Sequence, residues 1–231
     1  MPYRQLNETN ILQTLERLKL RIAERFPDSG LSKVADELRT VAGEVSETVT
    51  YLRQPNYPIR LAVSLAIAFV VGLVGFLIAT VGWPNKLSGL GEVVQLVDSG
   101  INDIVFLAVA IFFLVTLEGR LKRRRALRTI HQLRSIAHVV DMHQLTKDPE
   151  RLLSPAPDTA SSPARTMTPA QLGRYLDYCS ELLSVNSKLA ALLVQDFNDE
   201  VIMGAVNEIE TLTTGLSGKI WQKIRLIERE R

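Results

Sequence analysis

Apolar residues fall into two patterns along this chain: steps of three and four that mark one face of a helix, and two long runs with almost no polar interruption. In residues 6–26, Ile11, Leu15, Leu18 and Ile22 share one face and predict a helix, which Pro27-Asp28-Ser29-Gly30 breaks. A second helix carries Leu31, Val34, Leu38, Val41, Val45, Thr48 and Leu52, a seven-residue repeat that Gln54-Pro55-Asn56-Tyr57-Pro58 ends. Residues 1–58 are thus an αα-hairpin, or one arm of a larger bundle. Arg17, Lys19, Arg21 and Arg25 would let the first helix rest on anionic lipid. Glu16 and Glu24 dilute that charge and the apolar stripe needs a partner, which favours bundle packing.

The first long run, Leu61 to Gly82, has no charge. At ~1.5 Å per residue it reaches about 33 Å, enough for a hydrocarbon core of about 30 Å. Trp83-Pro84 follows, an interfacial aromatic and a helix stop. About sixty residues precede the run, so it does not read as a cleaved signal peptide. The second run, Ile104–Leu117, becomes a full span with Ile101, Asn102 and Asp103 before it and Glu118 to Leu121 after it. Its alternative is a buried soluble helix, but a lone first span would leave the two flanks on opposite sides of the membrane. Residues 59–121 are read as a two-helix transmembrane region, with an external connection at 83–100 in which Leu87–Val97 forms a short amphipathic helix.

Beyond the second run, 122–150 has few breakers and predicts a stalk helix, ended near Asp148-Pro149. Residues 151–168 are a Pro/Ser/Ala linker. Residues 169–231 then open with Thr168 as N-cap, Pro169 in the first helical position and Gln171 to complete a capping box. Leu172, Leu176, Cys179, Leu183, Asn186, Ala190, Leu193 and Phe197 alternate four and three, a coiled-coil seam in which Asn186 would fix register or chain number. A last helix carries Ile202, Ala205, Ile209, Leu212, Leu216, Ile220, Ile224 and Ile227, weakened in the middle by Gly215 and Gly218. The region predicts a long helical pair or one extended, self-associating coil.

Charge adds orientation. Basic residues crowd the segment before the first run and the one after the second, whereas the connection holds one, Lys86, against Glu92 and Asp98. The positive-inside rule puts both termini in the cytosol of a plasma membrane, the inner membrane if the cell is bacterial. The fold class expected is an all-α integral membrane protein with two transmembrane helices plus cytosolic helical hairpin and coiled-coil regions. Cys179 is the sole cysteine, so no internal disulfide is possible. A net charge of +2 does not imply nucleic acid.

Three constellations are candidates for function. Ser64, Ala68, Gly72, Gly75, Ala79 and Gly82 form a small-residue stripe along the first span, suited to close packing against the second span or another subunit. Arg120, Lys122, Arg123, Arg124, Arg125 and Arg128 lie just past the second span, where they attract anionic headgroups, act as a topology signal, or both. No aromatic platform is interleaved with them, which argues against nucleic acid. All three histidines, His131, His138 and His143, lie in one short segment. His131 and His138 sit two turns apart, about 10 Å, and cannot share one metal within one chain. Arg134, His138 and Asp141 make a stripe suited to an anion or a nucleotide, or to a response to pH; the plainer alternative is a polar packing network between helices.

No phosphate loop, HExxH, paired cysteine ligands or nucleophile elbow is present, so neither an enzyme nor a cofactor is expected. Two classes of function remain. One is an oligomeric scaffold whose cytosolic helices recruit a protein partner to the membrane. The other is a channel-like or membrane-perturbing effector under control of a ligand or partner, in bacterial signalling or defence. No polar stripe runs down a span, since Ser64 and Thr80 are isolated, and this tilts the reading to the scaffold.

Overall fold

The computed structural model describes residues 4–81, 90–147, 149 and 167–229. Every regular element among them is an α-helix: α1 (Glu8–Arg25), α2 (Gly30–Arg53), α3 (Tyr57–Val81), α4 (Leu90–Val115), α5 (Leu117–Leu145), α6 (Pro169–Gln195) and α7 (Glu200–Arg229). Gly82, Lys86, Ser88 and the linker at 151–166 lie outside the described residues. The chain divides into two compact units, residues 1–54 with 123–231, and residues 55–122.

Local chemistry sets most helix ends of the first unit. The Asn7 side chain accepts from the Asn10 amide at 3.0 Å, and Ser29 from that of Ser32 at 3.1 Å, so each satisfies an orphan N–H of a first turn. Asp28 turns the corner between α1 and α2 with φ 56°, a left-handed conformation that Asp tolerates better than most residues. At α6, Thr168 Oγ1 accepts from Gln171 N (3.2 Å) while Gln171 Oε1 accepts from Thr168 N (2.9 Å), a complete capping box.

In this unit α6 is central. Leu176, Leu182, Leu183, Leu189, Leu192 and Leu193 are all fully buried, and they point in several directions round the helix. Helices α1, α2 and α7 pack on it. The stripe Ile11, Leu15, Leu18, Ile22 of α1 faces inward, as does Leu31 to Leu52 on α2. From Arg123 onward α5 belongs to this bundle instead of standing apart as a stalk. Ala126, Ile130, Leu133, Ile136, Ala137 and Val140 are buried in the common core. The inward face is mostly apolar, with Thr129 and Gln144 buried among these residues, and the arginines between its positions hide it in the sequence.

The second unit has the opposite character. Leu61, Phe69, Phe106 and Phe112 are 63%, 70%, 74% and 64% exposed. One helical stretch, reaching Phe76, is long and apolar enough to cross a membrane, and a second qualifies if Gly100–Val115 is taken with its continuation. α4 starts at Leu90, well inside the stretch expected as a connection. No proline falls between Leu90 and Ile101, and the turn formers Asp98-Ser99-Gly100 sit inside the helix without breaking it. α3 and α4 pack together. Among the described residues, half-covered positions include Val63, Ala66, Ile67 and Val70 on α3, and Leu107, Ile111 and Leu114 on α4.

At one end of this pair Glu118 gathers three donors. Its carboxylate accepts from the Asn56 amide at the start of α3 (3.1 Å) and from Arg60 Nε (2.7 Å), and it pairs with Lys122 Nζ at 3.1 Å. A carboxylate from α5 thus does the work of an N-cap for α3, a role no local sequence pattern announces.

Candidate functional site

Within the bundle, α5 lies in a trough. On one rim Gln132 Nε2 donates to Glu44 on α2 (2.7 Å), and Arg125 pairs with Glu47 (3.8 Å) with its guanidinium carbon 4.7 Å from the Tyr51 ring centre. On the other rim Arg123 pairs with Asp199 (2.8 Å) and Arg134 with Glu208 of α7 (3.0 Å). Below, the Asn186 amide of α6 donates to the Leu133 carbonyl at 3.1 Å, and Thr48 meets Thr129 at 3.2 Å. Asn186 Oδ1 and Gln144 Oε1 are buried without a hydrogen-bond partner among the described residues. The floor is therefore a mixed polar seam, and the rims are ion pairs.

The face of α5 turned away from the trough is exposed over its whole length. Arg124, Arg128 and His131 occupy its first half, Ser135 and His138 its middle, and Met142 and Leu145 its end. Val139, Met142 and Leu145 are 43%, 66% and 58% exposed, although most apolar side chains of this unit are inside.

This geometry divides the sequence candidates. Arg134 and Asp141 are both engaged, the first with Glu208 and the second accepting from Gln144 Nε2 at 2.6 Å, while His138 is exposed. Of the three, Arg134 bridges to α7, Asp141 is bonded within α5, and His138 lies on the outer face. His143 lies apart from the other two histidines, its ring against Gly30 at the start of α2. No cluster of metal-ligating side chains occurs among the described residues.

The basic run is likewise split. Lys122, Arg123 and Arg125 take carboxylate partners within the chain, and Arg120 stacks over Phe113 at 4.4 Å. Arg124 and Arg128 stay exposed. The stripe Ser64, Ala68, Gly72, Gly75 and Ala79 is exposed too, and a Cβ built on Gly72 or Gly75 would meet nothing within 4 Å. It is not the face α3 turns to α4. The seam Leu172, Leu176, Cys179, Leu183, Asn186, Ala190 and Leu193 is wholly buried by the chain's own helices. Its regular repeat reports an intramolecular core.

Around one end of α6 the core is aromatic. Phe26 meets Tyr175 and Tyr178 edge-on at 5.3 and 6.2 Å, and Lys147 Nζ sits 5.4 Å from the Tyr175 ring centre. Burial raises the Tyr175 phenol and pushes the Cys179 thiol up to about 12, which Lys223 and Lys147 only partly offset. A thiol so placed stays protonated and inert. Lys223 Nζ donates to the carbonyls of Gln144 (2.9 Å) and Lys147 (3.3 Å), closing the C-terminal end of α5.

A groove of about 650 Å³ lies between α1 and α6 and has no signature in the sequence. Leu6, Ile11, Leu18 and Val185 line it along with Asn10 and Lys188. Gln195 clips its rim, accepting from Leu6 N at 2.8 Å and donating to Leu6 O at 3.4 Å. Sequence periodicity finds the helices but not the gap between them. No protein-family model matches this chain, and no curated protein sequence or solved structure matches it either.

Proposed function

We propose that this protein is a membrane-anchored scaffold. Two spans in a plasma membrane hold a helical bundle at the cytosolic face, where the bundle recruits a protein partner. The carrying observation is the contrast in exposure. α3 and α4 present Leu61, Phe69, Phe106 and Phe112 outward, while Glu118 holds Arg60 and Lys122 at one end of the pair. A soluble surface rarely exposes so large a contiguous apolar area, and lipid covers it without cost. The basic residues outside both runs supply the cytosolic placement. The exposed small-residue stripe of α3 supports contact with a second copy inside the bilayer.

The test is extraction and labelling. Alkaline carbonate should leave the protein in the membrane pellet. Cysteines placed by Ser88→Cys and Ser161→Cys should differ in intact cells, the first reacting with an impermeant thiol reagent and the second not. Buried Cys179 gives little background. Release by carbonate, equal labelling, or the reverse pattern refutes the reading.

A further inference from the structure

We infer that the outward face of α5 is a docking strip for an amphipathic helix of a partner protein, one that carries carboxylates toward one end and apolar side chains toward the other. The inference rests on the recruiting role proposed above and specifies its surface and its ligand chemistry.

Spacing is the first argument. From Arg124 through Arg128, His131, Ser135, His138 and Met142 to Leu145 the steps are 4, 3, 4, 3, 4 and 3, all at exposed positions. A 3.5-residue period keeps one face in register with a second helix over many turns. α5 is also held firmly enough to present that face, since ion pairs tie it to α2 and α7 on both rims.

Chemistry along the strip is the second argument. Arg124 and Arg128 lie at one end and Met142 and Leu145 at the other, about 27 Å apart at ~1.5 Å per residue. No carboxylate stands on the strip itself. A second copy laid parallel would set arginine against arginine. Laid antiparallel, it would set arginine against Met142 and Leu145. Neither arrangement supplies a carboxylate to the guanidinium groups. A lipid surface also fits poorly, because interfacial helices segregate charge and apolar area around the axis, whereas here they segregate along it. A partner helix with glutamates facing Arg124 and Arg128, and aliphatic residues facing Val139, Met142 and Leu145, satisfies both halves.

The experiment uses the full chain in phosphatidylcholine nanodiscs and three labelled synthetic peptides. One has helical heptads with glutamate on the seam at one end and leucine at the other. One is a scramble of it, and one replaces each glutamate by lysine. The acidic peptide should bind at least tenfold more tightly than the scramble. Met142→Asp should weaken it tenfold or more, and Arg128→Glu should weaken it and move the preference to the lysine peptide. Both residues are exposed, so helicity and melting temperature should stay at wild-type values. Equal binding of all three peptides, or indifference to both substitutions, overturns the inference. So does a doubled mass that Met142→Asp halves, which would make the strip a self-contact, or competition by phosphatidylglycerol vesicles but not by the acidic peptide. A chain that resists carbonate but ignores the acidic peptide overturns the docking strip alone. Release by carbonate would refute the anchoring and leave the peptide result to stand by itself.

Discussion

Two regions of this chain use the same raw material, long amphipathic or apolar helices, with opposite polarity. In the bundle of residues 4–54 and 123–229, leucines such as Leu15, Leu133 and Leu183 have no exposure, and arginine–carboxylate pairs hold the surface. In the unit of residues 55–122, apolar side chains face out, Glu118 holds Arg60 and Lys122 at one end, and Glu92, Asp98 and Asp103 fall in α4 before Ile104. The bundle is built to exclude water by its own packing. The helix pair has too few partners to do so and depends on its surroundings.

The strongest way to break that comparison is to put one chemical change in both regions. Leu183→Asp buries an unpaired carboxylate at the centre of α6. Leu→Ala at such a site alone costs about 2–5 kcal/mol, and the charge adds more, so the bundle should not fold. Phe106→Asp in α4 lands on an exposed position. It should leave the bundle's circular dichroism and near-native melting intact while lowering membrane insertion, by about 2.5–3.5 kcal/mol if the site is near mid-bilayer. Equal damage to bundle melting from both variants would show that the two regions are not distinct in kind.

A smaller effect probes how tightly the bundle is closed. A Cβ on Gly30 would lie 2.1 Å from His143 Cε1, so any side chain there must displace the imidazole. The imidazole is the outer end of a half-buried side chain and can swing aside, so Gly30→Ala should cost at most about 1 kcal/mol, the low end of overpacking. Adding His143→Ala should recover most of the loss, a non-additivity expected only of residues in contact. A neutral single variant in thermal melts would mean that this corner is loose.

Much of the bundle was legible because its signals are local. The caps Ser29 and Thr168, the break at Pro27 to Gly30, and the stripes of α1, α2, α6 and α7 all lie within a few turns of chain. What periodicity cannot say is who covers a stripe. The seam through Leu183 and Asn186 has the same spacing whether its partner is another copy or, as observed, α5 across more than fifty residues of sequence. The Gly72 and Gly75 stripe poses the same question, and the structure turns it away from α4. On α5 the arginines dominated the pattern. Charges that belong to the rims mask the inward Ala126, Ala137 and Val140, and the outward His131 and His138 share helical spacing with Arg134 and Asp141, which point to other partners. Non-local ties such as Glu118 to the start of α3 leave no trace in any short window.

The smallest effect tests the ion-paired surface of the bundle. Asp199 is at the start of α7, where one carboxylate oxygen accepts from the Val201 and Ile202 amides at 3.1 and 3.2 Å and the other from Arg123 Nε at 2.9 Å. Burial pulls its pKa upward, but the Arg123 hydrogen bond and the α7 amides outweigh burial and hold it below the ordinary carboxylate value. A group whose folded pKa is depressed adds stability above its unfolded pKa and loses it as pH falls through the folded value. The contribution of Asp199 should therefore be full at neutral pH, begin to fade near pH 4, and be gone once the folded carboxylate is protonated. Asp199→Ala removes cap and charge together and should cost about 1 kcal/mol at pH 7. Asp199→Asn keeps an acceptor for the first turn of α7 but loses the attraction to Arg123, so it isolates the ionic part. Its deficit in melting temperature against wild type should shrink steadily as pH is lowered from 6 toward 2. A deficit that stays constant over that range would show that Arg123 contributes nothing through charge. The bundle surface would then owe its stability to packing and capping alone, which would narrow the contrast with the helix pair to the single question of which side the apolar residues face.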